Sequence, residues 1–463
     1  MFIEQMYTNC LAEAAYFVVS EGEAIVIDPL RETEPYISKA DEMGVKIKYI
    51  FETHFHADFV SGHIDLAKKT GAKIVYGPNA NTNYDTISAK DEEIFEVGKI
   101  KIKVLHTPGH TLESSTYLLI DENGKEHCIF SGDTLFIGDV GRPDLAIKSD
   151  LTAKDLAGML YDSLREKIMP LPNDVIVFPA HGAGSSCGKN MSKETFDTLG
   201  HQKETNYALS DISKEEFVEI LTEGIMPAPG YFAQNASLNK NGYDSIDQVM
   251  ENGLTPLSVS EFEKKISEGV FVLDTRHQTD FHKGFIPGSV FIGLDGMFAV
   301  WVGTVIEKID TPMIVVTPEG REEETIKRLA RVGYDNVMGF LNGGFEAWAE
   351  AGKPVDALKS ITPEEFENHY TENEIHVVDV RKPSEYEGAH VTNSELYPLD
   401  FILENLNKLN KSDLHYVHCA GGYRSMIAAS ILRKQGYKDL IDVQGGFGKI
   451  KTTKIPLTSP ELA

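Results

Sequence analysis

Cysteine is scarce and unpaired in this sequence: Cys10, Cys128, Cys187 and Cys419 are the four thiols in 463 residues, and they share no spacing. That speaks against a disulfide framework and for a reducing compartment. Basic residues are short as well, with 44 Lys and Arg against 71 Asp and Glu and a formal net charge of -27. So acidic a balance disfavours nucleic acid and anionic membranes as partners, while a local basic pocket can still hold an anionic ligand. No uncharged apolar run is long enough to span a bilayer. The opening MFIEQMYTNCLAEAAYFVV has no basic leader and carries Glu4, so it does not read as a signal peptide. The expectation is a soluble, cytoplasmic protein. What is present is ordinary for a globular chain, 41% apolar and 25% charged residues. The length exceeds what one core accommodates and calls for two or three domains.

Up to about residue 240, short β-rich runs alternate with loops and amphipathic helices. EAIVIDP, IKYIFETH, AKIVYG, IKIKVLHTPGH, STYLLID, HCIFSGD and DVIVFPAH are the strand candidates. Four of them end in polar residues: Thr53-His54, Pro108-Gly109-His110, Ser131-Gly132-Asp133 and Pro179-Ala180-His181. Strands that stop together along one sheet edge can converge such side chains on one point. His54, His56 and Asp58 form the densest ligand cluster, and an extended or turn conformation would place two imidazoles and a carboxylate on one face. With His110 and Asp133 they suit zinc, manganese or iron(II). Taken singly, each histidine passes for a surface or core residue; four strand-end motifs together argue for a metal site.

The remainder contains an internal repeat. DTRHQTDFHKGFIPGS from Asp274 aligns without a gap with DVRKPSEYEGAHVTNS from Asp379, pairing Asp274 with Asp379, Arg276 with Arg381, Phe281 with Tyr386 and Ser289 with Ser394. SVSEFE and TPEEFE precede the two copies, and GGF follows in both. Strands FVLD and MIVV in one copy, VVDV and HYVH in the other, alternate with helices as a parallel α/β sheet requires. The expected domains are 1–250, 251–356 and 357–463.

THFHAD, TPGHT, SGDTLF and PAHG, in this order, resemble the metallo-β-lactamase superfamily, and GDTLFIGDVGRPDL is most similar to its persulfide dioxygenase branch. The resemblance implies an αββα sandwich with a metal at one edge, and one Fe(II) per chain held by His54, His110 and Asp133. That is a facial triad, which leaves positions open for dioxygen and substrate. His56, Asp58, His181, Cys187 and Arg142 are candidates for the surroundings of the metal or the substrate side. Dinuclear zinc hydrolases of the superfamily usually carry a ligating His directly after the motif's Asp; here Phe59 stands in that place, which favours a single metal. Simpler persulfide dioxygenases place a Tyr shortly after the fourth-motif His, where this chain has Cys187. Two readings of that thiol stay open, substrate handling near the metal or an incidental loop residue. His63, His106 and His127 are expected in structural roles.

In the last repeat, Cys419 opens CAGGYRS directly after LHYVH and before the helix MIAASILRKQGY, which sets Ile427, Ile431 and Leu432 on one face. A thiol at a helix N-terminus, ringed by the N–H groups of a Gly-rich turn, is stabilised as thiolate. Arg424 adds positive charge, and such a thiolate can accept a sulfane sulfur. The loop, with the DVR and GGF elements, resembles the rhodanese sulfurtransferases, which makes Cys419 and Arg424 the catalytic residues and Ala420, Gly421, Gly422, Tyr423 and Ser425 the persulfide loop. The preceding copy reads VVTPEGREEE there: Arg321 matches Arg424, but Val316 and Thr317 stand near the nucleophile's place and the loop is one residue shorter. That copy is expected to transfer no sulfur.

Together these readings imply oxidation of a low-molecular-weight thiol persulfide (glutathione, coenzyme A or bacillithiol type) with O2 to sulfite. Sulfur transfer through Cys419 would then give thiosulfate, a detoxification of sulfide and persulfide; the reverse order of the two steps is chemically open. The alternative is a zinc-dependent thioester hydrolase of the glyoxalase II type fused to a sulfurtransferase. A homo-oligomer is expected from the habits of the first domain's relatives.

Overall fold

The computed structural model describes residues 1–145, 151–225 and 227–459, so residues 460–463 of the expected last domain lie outside it. The chain divides into two compact units, residues 1–247 with 329–333, and residues 248–328 with 334–463. No helix among the described residues is long and apolar enough to cross a membrane.

Two six-stranded sheets build the first unit. One runs in chain order from Phe2–Thr8 through Glu13–Ser20, Glu23–Ile27, Lys46–Glu52 and Lys73–Tyr76 to Ile87–Ser88. The other runs from Asp197–Thr198 through Ile176–Pro179, Glu126–Gly132, Ser115–Ile120 and Ile100–His106 to Ile94–Val97. The period of two in side-chain direction sorts each strand into two cores. Ala14, Tyr16 and Val18 meet Val104, Tyr117 and Phe130 between the sheets. Ala15, Phe17 and Val26 face outward onto Tyr36, Ala40 and Leu66 of the helices Glu34–Met43 and His63–Thr70. Leu118, Ile129 and Val177 of the second sheet pack on Ala157, Leu160 and Phe217 of the helices Ala153–Ser163 and Lys214–Thr222. This is the αββα sandwich.

All seven expected strands are present in the first unit. The hairpin Phe2–Thr8 with Glu13–Ser20 was not among them. Glu13–Ser20 is buried at every position, so it shows none of the apolar–polar alternation that marks a half-exposed strand.

The second unit holds two five-stranded sheets, each wholly parallel. FVLD and MIVV pair as Phe271–Asp274 with Met313–Val316, and the second copy repeats this with His376–Asp379 and His415–His418. The repeated Asp-x-Arg is a buried clamp: Arg276 Nη2 lies 2.6 Å from Asp274 Oδ2, and Arg381 Nη2 lies 2.6 Å from Asp379 Oδ2. Each guanidinium also covers the aromatic ring of its own GGF element, Phe345 at 4.1 Å and Phe447 at 3.9 Å. The clamp thus ties the first strand of each copy to its last turn, which explains why both signatures survive in both copies.

Candidate metal centre and cysteine loop

Ends of the inner strands supply the centre. The strand Lys46–Glu52 runs into His54, Glu126–Gly132 into Asp133, and Ile176–Pro179 into His181. A bulge in the parallel pairing sets Gly132 opposite Pro179, which brings Asp133 level with His181. Gly132 has φ 54° and lies so near Thr53 that a Cβ there would stand 2.7 Å from its side chain. The glycine of SGD is therefore what lets the strand carrying Asp133 approach the strand carrying His54.

His54, His110 and Asp133 are buried, with one ligand atom of each within 4.8 Å of the others. Nε2 of His110 and of His54 lie 3.3 and 3.9 Å from Oδ2 of Asp133. Both rings are fixed from behind. His54 Nδ1 lies 2.9 Å from Thr53 Oγ1, whose hydroxyl donates to Asp28 Oδ2 at 2.8 Å, so Nδ1 is the donor and Nε2 keeps its lone pair. His110 Nδ1 donates to the carbonyl oxygen of Arg142 at 2.8 Å, with the same result. Burial first, then the neighbouring His56, pushes the His54 imidazolium well below its ordinary range, so the ring is neutral. Although burial opposes it, the charge of His181 and then of His110 holds the Asp133 carboxyl well below the usual range. Nε2 of each ring and one carboxylate oxygen thus converge. Asp133 Oδ2 is buried and has no hydrogen-bond partner among the described residues. An orphaned carboxylate oxygen facing two imidazole lone pairs is a costly arrangement without a cation and a fitting one with it.

The rings of His54 and His56 are neighbours, with centroids 4.2 Å apart, but His56 and Asp58 do not join the His54 ligand group. The strand ends at Glu52, and the bends that follow break the two-residue period. Their side chains enter two further buried groups, Asp58 with His181 and Cys187, and His56 with Asp28 and Glu52. His181 bridges: Nδ1 donates to Asp133 Oδ1 at 2.7 Å, and Nε2 lies 2.8 Å from Asp58 Oδ2. The bend is held by Asn239, a residue with no local signal in the sequence, whose amide donates to the carbonyls of His56 and Phe59 at 2.7 and 2.8 Å. Phe59 is fully buried, its ring 4.4 Å from that of His56. Arg142 turns its guanidinium to Asp144, with bonds of 2.6 and 2.7 Å, and it is the backbone of this residue that serves the centre. Cys187 is buried, and burial first, then Asp58 and Asp133, pushes its thiol well up. His63 is buried beside Glu52 and Tyr84, its pKa lowered to about 3 by burial, and His106 bonds the carbonyl of Leu112 at 3.0 Å. Both sit away from the ligand set.

Cys419 follows the strand His415–His418, and Gly422 caps the helix Tyr423–Lys434 in the left-handed conformation. The N–H of Gly422 donates to Sγ at 3.0 Å. The GGF element explains itself here: a Cβ on Gly446 would lie 2.2 Å from the carbonyl oxygen of Cys419, and Gly448 N–H bonds the carbonyl of Ala420 at 3.0 Å. Arg424 is not a free charge beside the thiol. It forms a two-bond pair with Glu385 at 2.7 and 2.8 Å, a partner visible in the sequence only as the acid aligned with Asp280. In the other copy Arg321 pairs with Asp295 and Glu324, and no thiol stands near.

Ser425 is anchored on Asp442 at 2.6 Å, and Ser360 bonds the same carboxyl at 2.9 Å. Burial pushes Asp442 up to about 6 from 3.8. A raised carboxyl favours the fold fully below pH 3.8, and that contribution is lost as pH rises through 6. Asp442→Asn keeps an acceptor for both hydroxyls and removes the buried charge. The variant is expected to be more stable than the parent at pH 7 by up to about 3 kcal/mol, the gap closing toward pH 4, as urea unfolding across that range would reveal.

The metallo-β-lactamase superfamily model matches residues 8–181, and the rhodanese-like domain model matches residues 258–351 and 362–453. The chain belongs to the metallo-β-lactamase superfamily and carries two rhodanese-like domains after that domain. A crystal structure described as a metallo-β-lactamase from Staphylococcus aureus subsp. aureus COL is 32% identical, with a TM-score of 0.65 over 74% of this chain and 98% of that one. The persulfide dioxygenase ETHE1, mitochondrial, of Homo sapiens is 30% identical over 209 residues, 45% of this chain and 74% of its own length. The probable hydroxyacylglutathione hydrolase glo2 of Schizosaccharomyces pombe is 32% identical over 190 residues, 40% and 69% of the two chains.

Proposed function

We propose that this chain is a non-haem iron persulfide dioxygenase coupled to a sulfurtransferase, with domains 1–250, 251–356 and 357–463. The observation that carries the reading is the three-residue set His54, His110 and Asp133 with Phe59 in the place of a second metal's ligand. Two histidines and one carboxylate suit iron(II). Iron held there supplies activation of dioxygen and a Lewis-acidic site for sulfur. The chain's own part is to fix both Nε2 atoms through Thr53 and the Arg142 carbonyl, to orient Asp133 through His181, and to keep bulk water out of a buried site. The overall conversion is persulfide, O2 and water to thiol, sulfite and two protons. Glutathione, coenzyme A and bacillithiol persulfides are the candidate substrates.

In the last domain, Sγ of Cys419 attacks the outer sulfur of a second persulfide. An S–S bond forms to Cys419 as the bond to the donor sulfur breaks, and the donor leaves as thiol. Sulfite then attacks that outer sulfur through its own sulfur lone pair, thiosulfate departs and the Cys419 thiolate is restored. The Gly422 N–H bonded to Sγ stabilises the thiolate at each end of the cycle. Four free cysteines and an acidic surface suit a reducing cytoplasm.

The test is metal analysis with oxygen uptake on protein purified without oxygen and given glutathione persulfide. About one iron per chain and sulfite formed in step with O2 consumed is the expected result. Zinc, no oxygen uptake and hydrolysis of a glutathione thioester would instead assign the first domain to the hydrolases. Cys187→Ser is expected to lower oxygen uptake about tenfold, because the thiol adjoins the Asp58–His181 pair that orients Asp133. Uptake equal to that of the parent would leave Cys187 as packing.

A further inference from the structure

The copy without a thiol meets the copy that has one along the helix Tyr423–Lys434. Tyr423 follows Gly422 in the cysteine loop, but its side chain turns into the other copy. Its hydroxyl donates to the carbonyl oxygen of Gly293 at 2.6 Å, and its ring stands edge-on to Phe291 with centroids 5.8 Å apart. A Cβ on Gly296 would lie 2.4 Å from that ring, so only glycine lets the segment pass so closely. Further along the helix, Phe291 N–H donates to Ser430 Oγ at 3.0 Å, and Arg433 bonds Asp356 twice at 2.8 Å. The segment from Phe291 to Gly296 is itself braced from behind. Arg328 donates to the carbonyl of Leu294 at 2.7 Å, and Arg321, the counterpart of Arg424, pairs with Asp295 at 2.8 Å. The remnant of one active loop therefore supports the segment that supports the other.

We infer that the cysteine-less copy is the positioning half of the sulfur-transfer site, acting on Cys419 through Tyr423. The inference rests on Cys419 being the nucleophile. Sulfur transfer moves negative charge onto and off Sγ, and a donor such as the Gly422 N–H stabilises it only while held still. Tyr423 begins the helix directly after that N–H and is tethered to a carbonyl outside its own domain. Tyr423 is thus a positioning residue, with no role in binding the donor or sulfite.

The test uses the full chain without oxygen, so that the iron reaction is silent, with glutathione persulfide as donor and sulfite as acceptor. Tyr423→Phe, which keeps the ring and loses the tether, is expected to lower kcat about tenfold with KM for sulfite within twofold. Gly296→Ala, made in the other copy, is expected to do the same by pushing the ring. The double variant should fall no further than the weaker single, since both act through one side chain. Oxygen uptake in air should equal that of the parent in all three. Single variants with kcat within twofold of the parent, or a double variant that falls by the product of the two, would overturn the inference. If the parent's Cys419 gains no sulfur by mass spectrometry, it is the assignment of the nucleophile that fails.

Discussion

Replacing Asp133 with Asn should empty the first domain of iron and lower oxygen uptake at least a hundredfold, while thiosulfate made from added sulfite and persulfide continues. The size follows from what Asp133 combines. It is the one anionic member of the converging set, its Oδ2 is the buried atom with no other partner, and its Oδ1 is the atom that His181 holds. Outlying partners of metal ligands typically cost ten- to a hundredfold when removed, and a ligand costs more. Thr53→Val offers the graded comparison. It leaves every converging atom in place but cuts the link from Asp28 to His54, so metal affinity should fall within that ten- to hundredfold range. Iron retained in full by Asp133→Asn would show that the ion binds elsewhere.

Replacing Cys419 with Ala should divide the chemistry in two. Oxygen uptake should match the parent's, sulfite should accumulate one for each O2 consumed, and thiosulfate should vanish from the products. Two of the three other thiols cannot substitute. Cys128 is buried within the sandwich core and raised by burial, and Cys187 is buried and raised as well, so neither presents a thiolate at neutral pH. The first rhodanese-like copy offers Thr317 and Val316 where a thiol would be needed. Ion chromatography reads sulfite and thiosulfate, and an oxygen electrode reads the uptake. If sulfur instead flows from Cys419 toward the iron, oxygen uptake with thiosulfate as the sulfur source should collapse in the variant, which distinguishes the two directions.

The parts of this architecture that were legible in the sequence are those written in local periodicity or in repetition. Strands with one exposed face, the strand-end His and Asp residues, and the duplicated Asp-x-Arg and GGF elements all carry their signal within a few residues. Glu13–Ser20 carried none because both faces are covered. The different partners of His54, His56 and Asp58 depend on a bend fixed by Asn239, far along the chain. Glu385 against Arg424, Asp442 beneath Ser425 and the Gly293 carbonyl on Tyr423 are likewise contacts across long stretches of sequence, which no spacing rule encodes.

The guanidinium clamp is complete in the copy that lacks a thiol, whereas its glycine turn stands further off: a Cβ on Gly344 would lie 3.7 Å from the carbonyl oxygen of Thr317, against 2.2 Å between Gly446 and Cys419. The clamp is therefore independent of the atom that performs the chemistry. A module held by such a clamp can lack the nucleophile and still keep its fold. The copy without a thiol can then serve through its surface alone, as architecture for the copy that has one.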